Sequence, residues 1–580
     1  MATRQHCRTL PHRLLNQRTN VVAPAAVAYK LVRKPTVETP QPNRLTLFQI
    51  FWGRGMAGSK SKHYETEVLK DDPTRPIVRS NLRGTYDRPI VITCKSKISV
   101  NTFGTRPDEG ANRIAYLRQE NGFYPSVGQI SDQAALTLSG CQFVVLKGLK
   151  FKDCWPAALN LDNCQNIVVL DCDFGPCTVA IGANGVDTRD IWIERCSFKQ
   201  TGWRDLWDRI EWRQVHGSYE NSTVGGVVEG DQRQFDGDFF RAWNIAGNVT
   251  IRDCDIEDAF NGIHFFNSVD DLPDDEDRSA ARFNNGRRSA SNVLIENNRF
   301  ARIRDNCIEP EDHAWNWVVR SNTFDDCYAP YSFELQRAGW FYIYDNHHWL
   351  EKPATAGGRT GGSGFKLGGR QANEGDFYVF NNSWFFKHGE RLFRKRALGR
   401  LKHFNNAVKL KKGTRRLFGK NWMRRNECEE DPREGEDNRF TRCWKSLDIV
   451  MNGDWIHEKG GLDWRDYVKA GYNLGDGTTN NDPGYSGPTK RPKGVDGERW
   501  LKPSAEMKEA GVAWTMRLPG FDEAGKGGIS YQDRYEVSIA AKNGVGAGMS
   551  DARLKFFKDQ LRFVPDFPVS RVSMNAANSA

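Results

Sequence analysis

The chain has 580 residues, 83 Lys and Arg against 73 Asp and Glu, and a formal net charge of +10. Residues 1–62 hold eleven basic residues and a single acid, Glu38, which leaves the remainder balanced at 72 basic against 72 acidic, so the net charge gives no ground for a nucleic-acid partner. A composition of 38% hydrophobic and 27% charged residues excludes a disordered chain, and the absence of any apolar run near ~20 residues argues against a helical membrane anchor and a membrane partner.

The first segment, 1–62, is expected to be a basic N-terminal extension outside the fold, disordered or processed. Three prolines between 35 and 42 and two short apolar runs, Val21–Ala28 and Leu45–Trp52, show no sustained helical or strand period. Arg4 to Arg18, the first apolar run and Ala26-Val27-Ala28 loosely match a secretory signal, with Pro24 and the short run against it. A secreted or periplasmic location is the expectation.

From 166 onward the sequence repeats. NIVVLDCDF (166–174), DIWIERCSF (190–198), NVTIRDCDI (248–256), NVLIENNRF (292–300), NWVVRSNTF (316–324), WFYIYDNHHW (340–349) and DFYVFNNSWF (376–385) share one pattern. Each opens on Asn, Asp or an aromatic, runs through alternating apolar residues, and reaches a Cys or Asn before another β-forming residue. The spacing is 24 residues wherever no insertion intervenes. A nine-residue strand on that period leaves no room for a crossover helix, so successive strands must coil around a common axis as a parallel β-helix. Cys172, Cys196 and Cys254 then form one ladder with Asn298, Asn322, Asn346 and Asn382, in which stacked amides bond along the axis and the cysteines are buried thiols rather than disulfides.

These repeats resemble the right-handed parallel β-helix (pectate lyase-like) superfamily of pectate, alginate and chondroitin lyases and mannuronan epimerases. The likeness covers about residues 80–410. GTYDRPIVI (84–92) resembles its entry segment, and NDPGY (481–485) with WLKPSAEM (500–507) resembles its irregular closing tail. The implied fold is an all-β, single-stranded right-handed solenoid. The implied activity is action on a polysaccharide, although the same fold serves lyases, hydrolases, epimerases and non-catalytic glycan-binding proteins.

Alignment of the second strand of each coil locates candidate chemistry. Ile263, Ile308, Phe333, Phe365 and Phe393 form an inward column, and the residue after each forms an outward one: His264, Glu309, Glu334, Lys366 and Arg394. Glu311 shares that face. Adjacent carboxylates are costly in a merely structural ladder, so the column is read as catalytic. Glu309, Glu311 and Glu334 are expected to hold Ca²⁺, Lys366 to act as base, and Arg394 or His264 to stabilise or protonate the leaving group. Trp315, Tyr331, Trp340 and Trp349 are expected sugar platforms. Glu309-Pro310-Glu311 resembles the Glu-x-Glu calcium pair of alginate and chondroitin lyases, but their base lysine has no counterpart before Lys366. Against the Asp-Pro-His of mannuronan epimerases, Glu stands for both Asp and His.

The expected function is therefore a polysaccharide lyase acting by β-elimination on an acidic, uronate-containing polysaccharide, with a hydrolase or epimerase, or a glycan-binding protein, as the alternatives. The β-helix is expected over 63–410 with insertions at 203–247 and 268–290. An irregular region, 411–580, is expected to pack on it or cap it, with one helix near 550–563 and an undecided disulfide between Cys428 and Cys443. A monomer is expected.

Overall fold

The computed structural model describes residues 65–102, 133–200, 215, 235–266, 290–350, 362–368, 372–373, 376–386, 391–395, 400–410, 450–458, 473–474, 478–479, 481–485, 501, 503–521 and 529–561. All lie within the unit His63–Ala580; Met1–Lys62, Cys428 and Cys443 fall outside the described residues.

These residues form a right-handed parallel β-helix with three faces. One coil shows the plan: Ala157–Asp162, Gln165–Leu170 and Asp173–Phe174 pair in register with Val179–Asn184, Arg189–Glu194 and Ser197–Lys199 of the next. The faces are here called the site sheet (containing 157–162), the long sheet (165–170) and the short sheet (173–174). In two coils the chain runs from site sheet to long sheet without a break, in the strands Asn306–Arg320 and Ala329–Tyr344, which pair with a register shift after Asp312. Inward residues of all three faces, among them Ile263, Ile308, Phe341 and Phe365, pack into one apolar core.

The ends of each repeat make the corners. Asn166, Asp190, Asn248, Asn292 and Asn316 open the long strands with φ of 53° to 58°, and Asp171, Arg195, Asp253, Asn297 and Ser321 close them with φ of 51° to 54°. Asn and Asp tolerate this left-handed region best, which explains their recurrence. Directly after the closing corner the ladder turns inward. From Asn322 onward each Asn amide oxygen accepts from the backbone N–H and side-chain amide of the rung before, as Asn346 does from Asn322 (both 3.0 Å) and Asn382 from Asn346 (3.1 and 2.9 Å). Cys172, Cys196 and Cys254 are free, buried thiols at the same position.

Two expected boundaries shift. The helix continues beyond 410: Lys402–Phe404 pairs with Val450–Asn452, which pairs with Asn473–Leu474, and Asp454 is the next rung, accepting from Asn406 at 2.7 and 3.0 Å. An Asp in place of Asn and the 39-residue interval from 411 to 449 hid this coil in the sequence. Residues 235–247 likewise belong to the helix rather than to an insertion, since Asp238–Trp243 pairs with both Val179–Asn184 and Asn261–Phe266.

After the coils the chain doubles back. The antiparallel hairpin of Trp514–Phe521 and Ile529–Ile539 and the helix Asp551–Gln560, capped by Ser550, pack over the outer side of the long sheet. Trp514, Met516, Leu518 and Phe557 bury Val318, Tyr342, Tyr344, Tyr378 and Phe380 there. Corner side chains fasten this strap: Asp345 accepts from the N–H groups of Gly548 and Met549 (2.7 and 3.0 Å), and Asn405 bonds both polar groups of the Val512 backbone. Met507 and Val545 cover Ala407 and Trp455 of the short sheet, and Leu501 covers Trp349. The strap therefore packs on the long and short sheets.

Candidate functional site

On the site sheet, parallel register sets two outward columns side by side. The first runs Asn160, Gly182, Arg241, His264, Glu309, Ser332, Lys366, Arg394. The second lies two residues further along each strand: Asp162, Asn184, Trp243, Phe266, Glu311, Glu334, Gly368. The first column is largely buried, the second partly exposed from Asp162 to Glu334.

With Asp238 set between Arg241 and His264, the buried column becomes a chain of alternating charges. Asp238 pairs with Arg241, and its Oδ1 lies 3.6 Å from His264 Nδ1. His264 Nε2 faces Glu309 Oε2 at 3.6 Å and Glu311 Oε1 at 3.5 Å. Glu309 Oε1 accepts from the Asn306 amide (2.7 Å) and the Ser332 hydroxyl (2.8 Å), and Lys366 Nζ lies 3.5 Å from it and 3.2 Å from Glu334 Oε1. Burial works against a charge on His264, but Glu309, Asp238 and Glu311 outweigh it and push its pKa up to about 10. Burial also opposes the Lys366 charge, yet Asp305, Glu309 and Glu334 hold the ammonium well above the ordinary lysine range. Burial raises the Glu309 carboxyl, and Lys366 and His264 reverse only part of that. Both nitrogen groups are thus held as cations.

In the exposed column, Glu311 and Glu334 are direct register partners on adjacent coils, with side chains 28% and 33% exposed. Each carboxylate meets a different cation beneath it, Glu311 the His264 imidazole and Glu334 the Lys366 ammonium. Trp243 and Phe266 precede them in the same column, with ring centroids 5.5 Å apart.

Several sequence expectations change. Ile308 pairs with Tyr331 rather than Phe333, so Ser332 is the neighbour of Glu309, and Glu334 moves one column over to stand beside Glu311. The slip is of two residues, which keeps the outward face; Tyr331 and Phe333 are both inward aromatics, so alternation alone left this choice open. His264, Glu309, Glu334 and Lys366 do converge, and Arg394 is the register partner of Lys366, though its side chain is outside the described residues. Lys366, the expected base, lies between Glu309 and Glu334, whose charges favour its ammonium form despite burial.

The four aromatic platforms are not available to a sugar. Trp315 and Tyr331 are fully buried, the Tyr331 hydroxyl bonding His348 Nε2 at 2.9 Å within the core. Trp340 lies in the cluster beneath the hairpin, and Trp349 is stacked on Phe385 and covered by Leu501. Trp243 escapes the sequence alignment because it falls in the expected insertion 203–247, whereas Phe266 stands two residues after His264 on the same outward face and is open to the alternation that places Glu311.

The three expected calcium ligands do not assemble as a shell. Glu309 and Glu311 each bring a carboxylate oxygen to within 4.8 Å of a His264 nitrogen and of each other, while Glu334 turns to Lys366. Calcium takes six to eight oxygens, whereas this set contains a nitrogen, and the cations lying against its carboxylates are an imidazole held protonated and an ammonium.

No protein-family model matches the chain, and no curated protein does. Among solved structures, the chain is similar to a crystal structure of DFA-IIIase from Arthrobacter chlorophenolicus A6 in complex with GF2. The identity is 9% and the TM-score 0.25, over 52% of this chain and 66% of that one, just under two thirds of its length.

Proposed function

We propose that the protein is a carbohydrate-active enzyme that hydrolyses a glycosidic bond over the site sheet, with Glu311 and Glu334 as the reacting carboxyl pair. The observation that carries this reading is the pairing itself: two partly exposed carboxylates in direct register, each backed by its own buried cation. Adjacent strands lie ~4.8 Å apart, which sets such a pair near the ~5–5.5 Å separation of retaining glycosidases. One of the pair, protonated at the start, gives its proton to the leaving oxygen while the other, ionised, attacks the anomeric carbon; the first, now a carboxylate, then takes a proton from the water that releases the covalent intermediate. His264 and Lys366 hold the two side chains in place and oppose mutual repulsion.

The β-elimination reading is less well supported. It requires an unprotonated base beside the sugar, and the two nitrogen candidates are held protonated. The described cations at the site are already engaged by carboxylates, which favours a neutral glycan over a strongly acidic polysaccharide.

The test is product analysis on soluble neutral and acidic polysaccharides, following reducing ends and the ultraviolet absorbance of unsaturated sugars together. Saturated products with retained anomeric configuration are expected, with E311Q and E334Q each at least ~100-fold slower and normally folded. Unsaturated products would establish β-elimination instead. Release of no product from any polysaccharide would leave a glycan-binding role and overturn the enzyme reading.

A further inference from the structure

The column that carries Glu311 and Glu334 continues across earlier coils as Phe266, Trp243, Asn184 and Asp162. Apart from Gly368 its other described members are polar, as befits a partly exposed face, and only Phe266 and Trp243 are aromatic. Neither fills the core. Phe266 is fixed from beneath: the His264 ring lies 3.7 Å from it between centroids and the Arg241 guanidinium lies 5.8 Å from its centre. Trp243 leans on Phe266 with the ring planes 42° apart. The result is an apolar, rigid surface in line with the carboxylate pair and one coil away from it.

We propose that Phe266 and Trp243 form a sugar-binding platform of two successive subsites, on which hexose residues of one glycan chain stack by their C–H faces while the chain crosses Glu311 and Glu334. Coil spacing of ~4.8 Å is close to the advance of one sugar in an extended chain, so one residue is received per coil. An aromatic ring suits the apolar face of a sugar, and the tilted pair suits the turn between neighbouring units. Asp162, further along the column and partly exposed, accepts from Ser139 and Asn163 and has carboxylate lone pairs left for the hydroxyls of a following unit. The glycan thus lies along the helix axis, with several units over the earlier coils.

The inference rests on the proposed cleavage site for its direction, and binding is measured apart from cleavage. Full-length protein is run by affinity electrophoresis through gels containing soluble β-glucan, xylan, mannan, polygalacturonate or alginate. At least one gel is expected to retard the wild type and E334Q alike, with W243A about tenfold weaker and W243F largely restored. Retardation with no cleavage by the wild type would refute the enzyme reading and leave the platform standing. On a cleaved glycan, W243A is expected to raise KM for oligosaccharides long enough to reach the platform and to leave the shortest ones unchanged. Unaltered retardation of W243A, equal loss at every chain length, or retardation by none of the five polymers would overturn the platform.

Discussion

His264 shows how one buried side chain ties stability to pH. Its folded pKa of about 10 lies above the ordinary 6.5, so its contribution is complete below about pH 6.5 and is lost as the pH rises through 10. The melting temperature should therefore fall between roughly pH 7 and 10, and the fall should be shallower in H264Q. Lys366 makes a separate prediction. Its ammonium occupies the space between Glu309 and Glu334 that a metal was expected to fill, so chelator should change neither the wild-type melting temperature nor its activity. K366A, which removes the ammonium lying between those carboxylates, should be less stable by about 3 kcal/mol. It should also gain stabilisation from millimolar divalent cation, read by thermal unfolding. At this scale the sequence disclosed the residue types and the outward face. It did not disclose their charge states, which depend on Asp238 of a neighbouring strand, on Asp305 in the bend before Asn306 and on burial, none of which has a local signature.

Among elements, the asparagine ladder is the part of the fold that sequence declared most openly, because each rung is constrained twice. The preceding residue must accept a left-handed corner, and the rung must both donate and accept along the axis. Asn346 gives its amide to Asn382, Val319 and Tyr344 and receives two bonds from Asn322, all in the buried interior. N346A strands several of these groups and should cost about 3–5 kcal/mol, whereas N346C, which copies the rungs at Cys172 to Cys254, should cost less. Denaturant unfolding followed by tryptophan fluorescence distinguishes the two. The site strands were less legible than the ladder. Their inward residues alternate Tyr331 and Phe333, or Phe365 and Leu367, equally well in registers two residues apart, and only the length of the preceding turn selects one.

For the whole molecule, the division of labour among the three faces follows from where the polypeptide returns. The strap occupies the long sheet and part of the short sheet, and the interruptions of the coil rhythm at 103–132, 201–234, 267–289 and 351–361 all fall where the chain enters or leaves the site sheet. The helix near 550–563 and a C-terminal region packed on the coils were legible in the sequence, but not the face they cover, since Tyr342, Tyr344 and Tyr378 look the same whether they face water, ligand or a later segment. Phe557 is fully buried against Tyr344 and Phe380, with ring centroids 5.4 and 4.8 Å away. F557A should cost about 3–5 kcal/mol, seen as a lower melting temperature and added dye binding to the uncovered long sheet.

The strap also imposes a schedule. Coils that stack on their neighbours can form while the polypeptide is still emerging, but Tyr378 and Phe404 wait for Trp514 and Phe557, far downstream. At ribosomal rates that wait is of the order of 10–30 s, during which an aromatic sheet face is open to any other nascent chain. The coils carrying Glu311 and Glu334 are the same ones the strap later clamps, so biosynthesis of this protein should be most sensitive to chaperone supply in that interval.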